Sequence, residues 1–253
     1  MEPAATDLTP EEITANLHRV RENIVRACLR SGRAPKEVTL VAVSKTKPSP
    51  AIAAAFAAGA RDFGENYVQE LTRKWRDFDG REEKNALRWH MIGHLQRNKV
   101  RPLIGHTALI HAVDSLPLAG QISAESVKKE TVTEILLEVN VAEEESKWGF
   151  RTEAVSEAAR AVSALPGLRL LGLMTSAPWT EDPETNRPYF RRLRELAFRL
   201  KEEGRIAESV SGIRVPALSM GMSGDYTVAV EEGATLVRVG TDIFGRREYP
   251  NGK

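Results

Sequence analysis

A lysine follows the apolar run in Val41-Ala42-Val43-Ser44-Lys45-Thr46-Lys47. At the end of a buried strand a lysine is desolvated, which lowers its pKa and favours the neutral amine that condenses with an aldehyde to a Schiff base. A lysine that snorkels its ammonium into solvent fits the position equally well, so position alone leaves both readings open. Lys47, one step further into the loop, is expected to be the more solvated of the two. Near the other end of the chain, Ser219-Met220-Gly221-Met222-Ser223-Gly224-Asp225 and Arg238-Val239-Gly240-Thr241 concentrate glycines and hydroxyls. Ser223 and Thr241 offer hydroxyl donors, and Gly221, Gly224 and Gly240 let backbone N–H groups approach an anion. A glycine-rich turn explains either loop alone but explains poorly why both occur. A phosphorylated aldehyde would satisfy the lysine and the cradle together.

The elements that must bring these residues together alternate along the chain. Strand-like runs are expected near 38–44, 62–64, 88–92, 109–113, 134–139, 168–174, 216–219 and 236–239, with amphipathic segments between them, clearest at 152–165 and 188–203. Several runs are apolar almost throughout, as in Ile135-Leu136-Leu137-Glu138-Val139, which suits parallel strands buried on both faces. Eight strands each followed by a helix is the count at which a parallel sheet closes into a TIM-like (β/α)8 barrel, and an open doubly wound sheet is the main competitor. In such a barrel the loops after strands seven and eight commonly build a phosphate site, beside strand one and its lysine. An extra helix precedes the series. Thr9 and Glu12 form a capping box around Pro10, while Ile13, Leu17, Val20, Ile24 and Cys28 make one apolar stripe. Cys28 on that stripe reads as a packed core thiol. With no linker or repeat in the series, residues 1–253 are expected to form a single domain.

Two further segments carry polar residues at strand ends. In Phe63-Gly64-Glu65-Asn66-Tyr67, Asn66 either contacts a ligand or caps the next helix, and capping is the plainer reading. In His90-Met91-Ile92-Gly93-His94-Leu95-Gln96-Arg97-Asn98-Lys99 the histidines stand at the spacing of a helical zinc pair. No glutamate follows His90, however, and Gly93 marks a strand exit, so no metal is expected. His90 should point into the barrel, and Gln96, Asn98 and Lys99 should begin a helix.

Composition narrows the function classes. The chain has 253 residues, 42% hydrophobic and 28% charged, enough to bury a core without disulfides or metals. A formal net charge of +1 gives no footprint for nucleic acid or an anionic membrane. One cysteine allows no internal disulfide. The N-terminus lacks a basic region followed by an apolar run, so a cytoplasmic protein is expected.

Together with Glu145-Ser146-Lys147-Trp148-Gly149, Gly172-Leu173-Met174 and Asp242-Ile243-Phe244-Gly245, these segments resemble the pyridoxal phosphate homeostasis protein family, in order, over nearly the whole chain. The resemblance implies a barrel similar to the N-terminal domain of bacterial alanine racemase, with pyridoxal 5′-phosphate (PLP) as a Schiff base on Lys45. It further implies that Ser223, Gly240 and Thr241 hold the phosphate, that Asn66 lies near the ring, and that Arg238 faces the pyridine nitrogen. His94 stands where the family pattern has proline, which puts the local loop shape in question. A cationic guanidinium beside the pyridine nitrogen disfavours its protonation and weakens PLP as an electron sink. The short tail after the eighth strand leaves no room for the second domain of alanine racemases and its acid/base tyrosine. The implied function is a carrier or regulator in vitamin B6 homeostasis and amino/keto acid balance, without established turnover. Its implied partners are PLP and recipient PLP-dependent apoenzymes, with no nucleic acid or membrane partner and the chain a monomer. A PLP-dependent amino-acid racemase is the alternative, and a cofactor-free Schiff-base aldolase acting through Lys45 on a phosphorylated sugar is the third reading.

Overall fold

Eight parallel strands close into a barrel in which each pairs with its sequence neighbours and β8 returns to β1. The computed structural model describes residues 8–144 and 147–246. The strands are β1 Thr39–Val43, β2 Asp62–Glu65, β3 Arg88–Met91, β4 Leu109–Val113, β5 Thr133–Glu138, β6 Leu168–Met174, β7 Ala217–Ser219 and β8 Leu236–Val239. Three match the sequence expectation end to end and the others differ by one or two residues, the usual uncertainty at element ends. Closure settles the competition with an open sheet.

Alternation along the strands sorts their side chains into two cores. Val41, Leu109, Leu136, Leu171, Ala217 and Leu236 form a small cluster of their own inside the barrel. Phe63, Trp89, Met91, Ile110, Ile135, Leu173 and Val237 join the larger cluster between the strands and the outer helices. Those helices are α1 Pro10–Arg30, α2 Ser49–Ala57, α3 Val68–Asp77, α4 Leu116–Lys128, α5 Val155–Ser163, α6 Arg187–Glu202, α7 Tyr226–Glu231 and α8 Thr241–Phe244.

The alternation fails once. Between β3 and β4 no α-helix forms, and Arg97–Lys99 makes only a 3-10 turn. Gln96, Asn98 and Lys99 therefore do not begin a helix as expected. Pro102 and Gly105 follow within a few residues, and a run of turns reaches β4 instead.

Helix α1 begins as its sequence demands. The Thr9 hydroxyl accepts from Glu12 N–H at 3.2 Å and the Glu12 carboxylate accepts from Thr9 N–H at 2.7 Å. Its stripe, Cys28 included, is buried. The helix packs against α2, α7 and α8, covering the seam where β8 meets β1. Asn16 donates to the Ile243 carbonyl at 3.1 Å and Asn23 to the Tyr226 hydroxyl at 2.7 Å. The extra helix thus braces the elements that follow the two glycine-rich loops.

Candidate functional site

At the C-terminal ends of the strands lies a cavity of about 710 Å³, within the range of small-molecule sites. Lys45, Asn66, Ser223, Arg238, Gly240 and Thr241 all line it. Residues at or just past the ends of β1, β2, β7 and β8, far apart in sequence, thus meet in one space.

Lys45 does not end the strand. It sits two residues past β1, half-buried, in a turn whose next residue, Thr46, has φ +67°. That conformation is unfavourable for a threonine, and a buried ionic group holds it. Lys74 of α3, fully buried, donates from Nζ to the Ser44 carbonyl at 2.6 Å and to Glu65 and Glu70 at 2.7 Å each. Glu70 also accepts from Thr46 N–H at 2.6 Å, and Glu65 accepts from the Ser44 hydroxyl at 2.6 Å. Burial pushes the Glu65 carboxyl up, against the Lys74 ammonium pulling it down. Sequence reading missed this brace, because charged residues on an amphipathic helix are ordinarily read as solvated, although Lys74 falls on the buried stripe with Val68 and Leu71. Lys47, expected to be solvated, is also half-buried and lines the same cavity, as does Lys147. Glu145 and Ser146 lie outside the described residues.

Asn66 is not the helix cap; that position belongs to Tyr67, whose side chain makes no cap hydrogen bond. A Cβ on Gly93 would sit 2.5 Å from the Asn66 carbonyl oxygen, so a glycine is needed for the β3 exit to pass behind Asn66. His90 and His94 diverge. His90 points inward to Asp62 and His111, whereas His94 stacks on Trp148 at 4.0 Å and contacts Asp114 at 2.8 Å. The inward expectation for His90 holds.

Beside the end of β1, the N–H groups of Gly240 and Asp242 converge on the Ser223 hydroxyl at 3.3 and 3.4 Å. These are long, loosely made hydrogen bonds whose donors an incoming anion can take over. The glycines do unequal jobs. A Cβ on Gly224 would meet nothing within 4 Å, one on Gly240 would press Val43 at 3.2 Å, and one on Gly221 would strike Ala229 at 2.5 Å. Packing, more than anion approach, therefore requires Gly221 and Gly240. Asp225 braces this loop, accepting from Met222 N–H at 2.6 Å and from Asn186 at 2.9 Å.

Arg238 is buried in the cavity lining. It donates to the Ser219 hydroxyl at 2.7 Å and to the Thr175 carbonyl at 2.8 Å. Burial lowers its pKa to about 10, opposed by Glu138 and Asp225, so it remains a cation at neutral pH. Glu138, at the end of β5, rises to about 7 through burial and the neighbouring Asp114 carboxylate, with Arg238 opposing. Its Oε2 is buried with no hydrogen-bond partner.

A family model described as "Alanine racemase, N-terminal domain" matches residues 15–248. Over 236 residues the chain is 44% identical to the pyridoxal phosphate homeostasis protein of Aquifex aeolicus, covering 92% of this chain and 97% of that one. The solved structure of PipY from Synechococcus elongatus, with PLP bound, superposes with a TM-score of 0.77 at 32% identity, covering 92% of this chain and all of that one. The alanine racemase of Corynebacterium glutamicum has a TM-score of 0.70 at 15% identity, over 96% of this chain and 63% of that one, a likeness of fold alone. No described helix is long and apolar enough to cross a membrane.

Proposed function

The chain belongs to the pyridoxal phosphate homeostasis protein family, and we propose that it holds PLP in this cavity through the Lys45 amine as part of cellular vitamin B6 homeostasis. The observation that carries the site assignment is the meeting, in one cavity, of an amine on a braced turn, convergent N–H donors and a buried guanidinium. Ser223, Gly240 and Thr241 take the phosphate, Asn66 lies beside the ring, and Arg238 faces the pyridine nitrogen. The loosely engaged donors and the fixed cation fit that group. When bound, PLP supplies an electrophilic carbonyl and an electron sink. Arg238, a buried donor with no acceptor function, keeps the pyridine nitrogen unprotonated and so limits the sink.

This arrangement favours holding PLP over turning over substrate. The chain acts as a monomeric, cytoplasmic, single-domain carrier, with PLP-dependent apoenzymes as recipients. Two experiments test the reading. Borohydride treatment of the PLP-loaded protein should fix a phosphopyridoxyl group on Lys45, and mapping it to Lys47 or Lys147 would refute the assignment. Incubation with L- or D-alanine in deuterated water should give negligible exchange of the α-proton. Exchange at about 1 s⁻¹ or faster, the lower edge of ordinary turnover, would establish the racemase reading instead.

A further inference from the structure

The interior of the barrel holds a chain of polar side chains that runs from Arg238 away from the cavity. Asp62 of β2 contacts His90 Nε2 at 2.9 Å, and His90 Nδ1 contacts His111 Nε2 at 2.9 Å. His111 Nδ1 contacts the Ser219 hydroxyl at 2.7 Å, and that hydroxyl accepts from Arg238 Nη1 at 2.7 Å. All five residues are buried, and they come from β2, β3, β4, β7 and β8. Burying so many polar groups is unfavourable unless each donor meets an acceptor.

With both imidazoles neutral, the donor and acceptor inventory allows one direction in which every hydrogen finds an acceptor. A guanidinium only donates, so Ser219 Oγ accepts from Arg238. A hydroxyl can accept twice, but a hydrogen on His111 Nδ1 would leave the Ser219 hydrogen without an acceptor among its contacts and turn a lone pair of neutral His90 towards Asp62, so the Ser219 hydrogen goes to His111 Nδ1. Burial, with help from the Arg238 cation, holds His111 well below the usual imidazole range, so its ring carries one hydrogen. That hydrogen sits on Nε2 and points to His90 Nδ1. His90 then donates from Nε2 to Asp62. Burial raises the Asp62 carboxyl, but its hydrogen bonds with His90 and Arg88 and the Arg88 charge outweigh that and hold it below the usual carboxylate range. It is also gripped from outside by Arg88, which donates from Nε at 2.8 Å and from Nη2 at 2.5 Å. Every link is satisfied with the charge at the two ends, Arg238 cationic and Asp62 anionic.

We propose that His111, with His90 and Asp62 behind it, is a positioning residue for Arg238: the one-way chain holds Ser219 as an acceptor and so locks the guanidinium in the orientation it presents to the cavity. The chain does not depend on PLP; its consequence for PLP rests on the function proposed above, and the test separates them.

In the cofactor-free protein, ring-nitrogen NMR should find His111 and His90 each with a bare Nδ1. A hydrogen on Nδ1 of either ring would overturn the proposal whether or not PLP binds. In the PLP-loaded protein, Ser219→Ala and His111→Leu should each shift the visible absorption band and weaken PLP on the order of tenfold, the scale of one hydrogen bond to a charged group. His111→Asn, whose Oδ1 can replace Nδ1 as acceptor, should restore the band. If Ser219→Ala, a small change that should leave the barrel folded, keeps both band and affinity within about twofold of wild type, the positioning role is wrong. If the wild type binds no PLP while the tautomers are as stated, the function fails and the chain stands.

Discussion

The two ends of the cavity are fixed by different physics. Around Lys45 the backbone is pinned by a buried ionic group, Lys74 with Glu65 and Glu70, that holds the Ser44 carbonyl and the Thr46 N–H directly. Around Ser223 no cation takes part among the described residues, and long N–H contacts converge on one hydroxyl. A covalent anchor must present its amine from one place, so a turn in an unfavourable conformation is over-determined. A phosphate site must hand its donors to a ligand, so they are held loosely until one arrives.

The sharpest way to break this contrast is at Lys74. Lys74→Met leaves Glu65 buried without its cation, and losing one partner of a buried pair costs about 3–5 kcal/mol. Urea unfolding of the cofactor-free protein should show that loss, while Ser223→Ala costs about 1 kcal/mol or less, since it removes only long hydrogen bonds. Equal costs would mean that the two ends are not differently built.

The next largest effect belongs to the other end. Ser223→Ala together with Thr241→Ala should weaken PLP by about 2–4 kcal/mol, each removing a hydrogen bond to a charged group. Pyridoxal without its phosphate should bind poorly and be little changed by the pair. Equal weakening of both ligands, measured by titration, would place the phosphate elsewhere.

The contrast also explains which parts of the site the sequence disclosed. Glycines and hydroxyls at 219–225 and 238–241 are local signals whose chemistry is written in consecutive residues. The strand pattern was readable for the same reason, because a parallel strand buried on both faces is apolar along its own length. The Lys74 brace and the Asp62–His90–His111–Ser219–Arg238 chain join residues from separate elements, and nothing in their neighbours marks them. Lys74 has the spacing of the buried stripe with Val68 and Leu71, but a lysine there is ordinarily read as snorkelling to solvent, and only its partners from other elements make it a core residue. The missing helix between β3 and β4 was a local failure, where turn residues won over a short polar run that resembled a helix start.

Glu138, at the end of β5, gives a pH test. Its folded pKa of about 7 against an ordinary 4.5 means that the folded protein keeps a proton the unfolded chain releases. Its contribution to stability is therefore complete below about pH 4.5 and lost as the pH rises through about 7. Relative to Glu138→Gln, the cofactor-free wild type should lose stability over that window by at most about 3 kcal/mol, with relaxation reducing the figure. Thermal unfolding of both proteins at pH 5 and pH 8 reads the difference, and a gap that does not widen with pH would mean that Glu138 is ionised in the folded protein.

The smallest effect sharpens the comparison most directly. Thr46 adopts φ +67°, which costs a threonine about 1–2 kcal/mol, and a glycine would relieve that cost while gaining freedom in the unfolded chain worth about 0.5–1 kcal/mol. Thr46→Gly should thus change stability by less than about 1 kcal/mol, in the stabilising direction. Glu70 accepts from the backbone N–H of residue 46, not from its side chain, so the brace survives the substitution. If the ionic group fixes the turn, the glycine variant should keep the position of Lys45 and react with PLP at the wild-type rate. If threonine's stiffness fixes it, the variant should form the borohydride-trapped adduct more slowly and spread it onto Lys47. A clear loss of stability with a scattered adduct would assign the turn to its own residue and leave Lys74 as a core contact only.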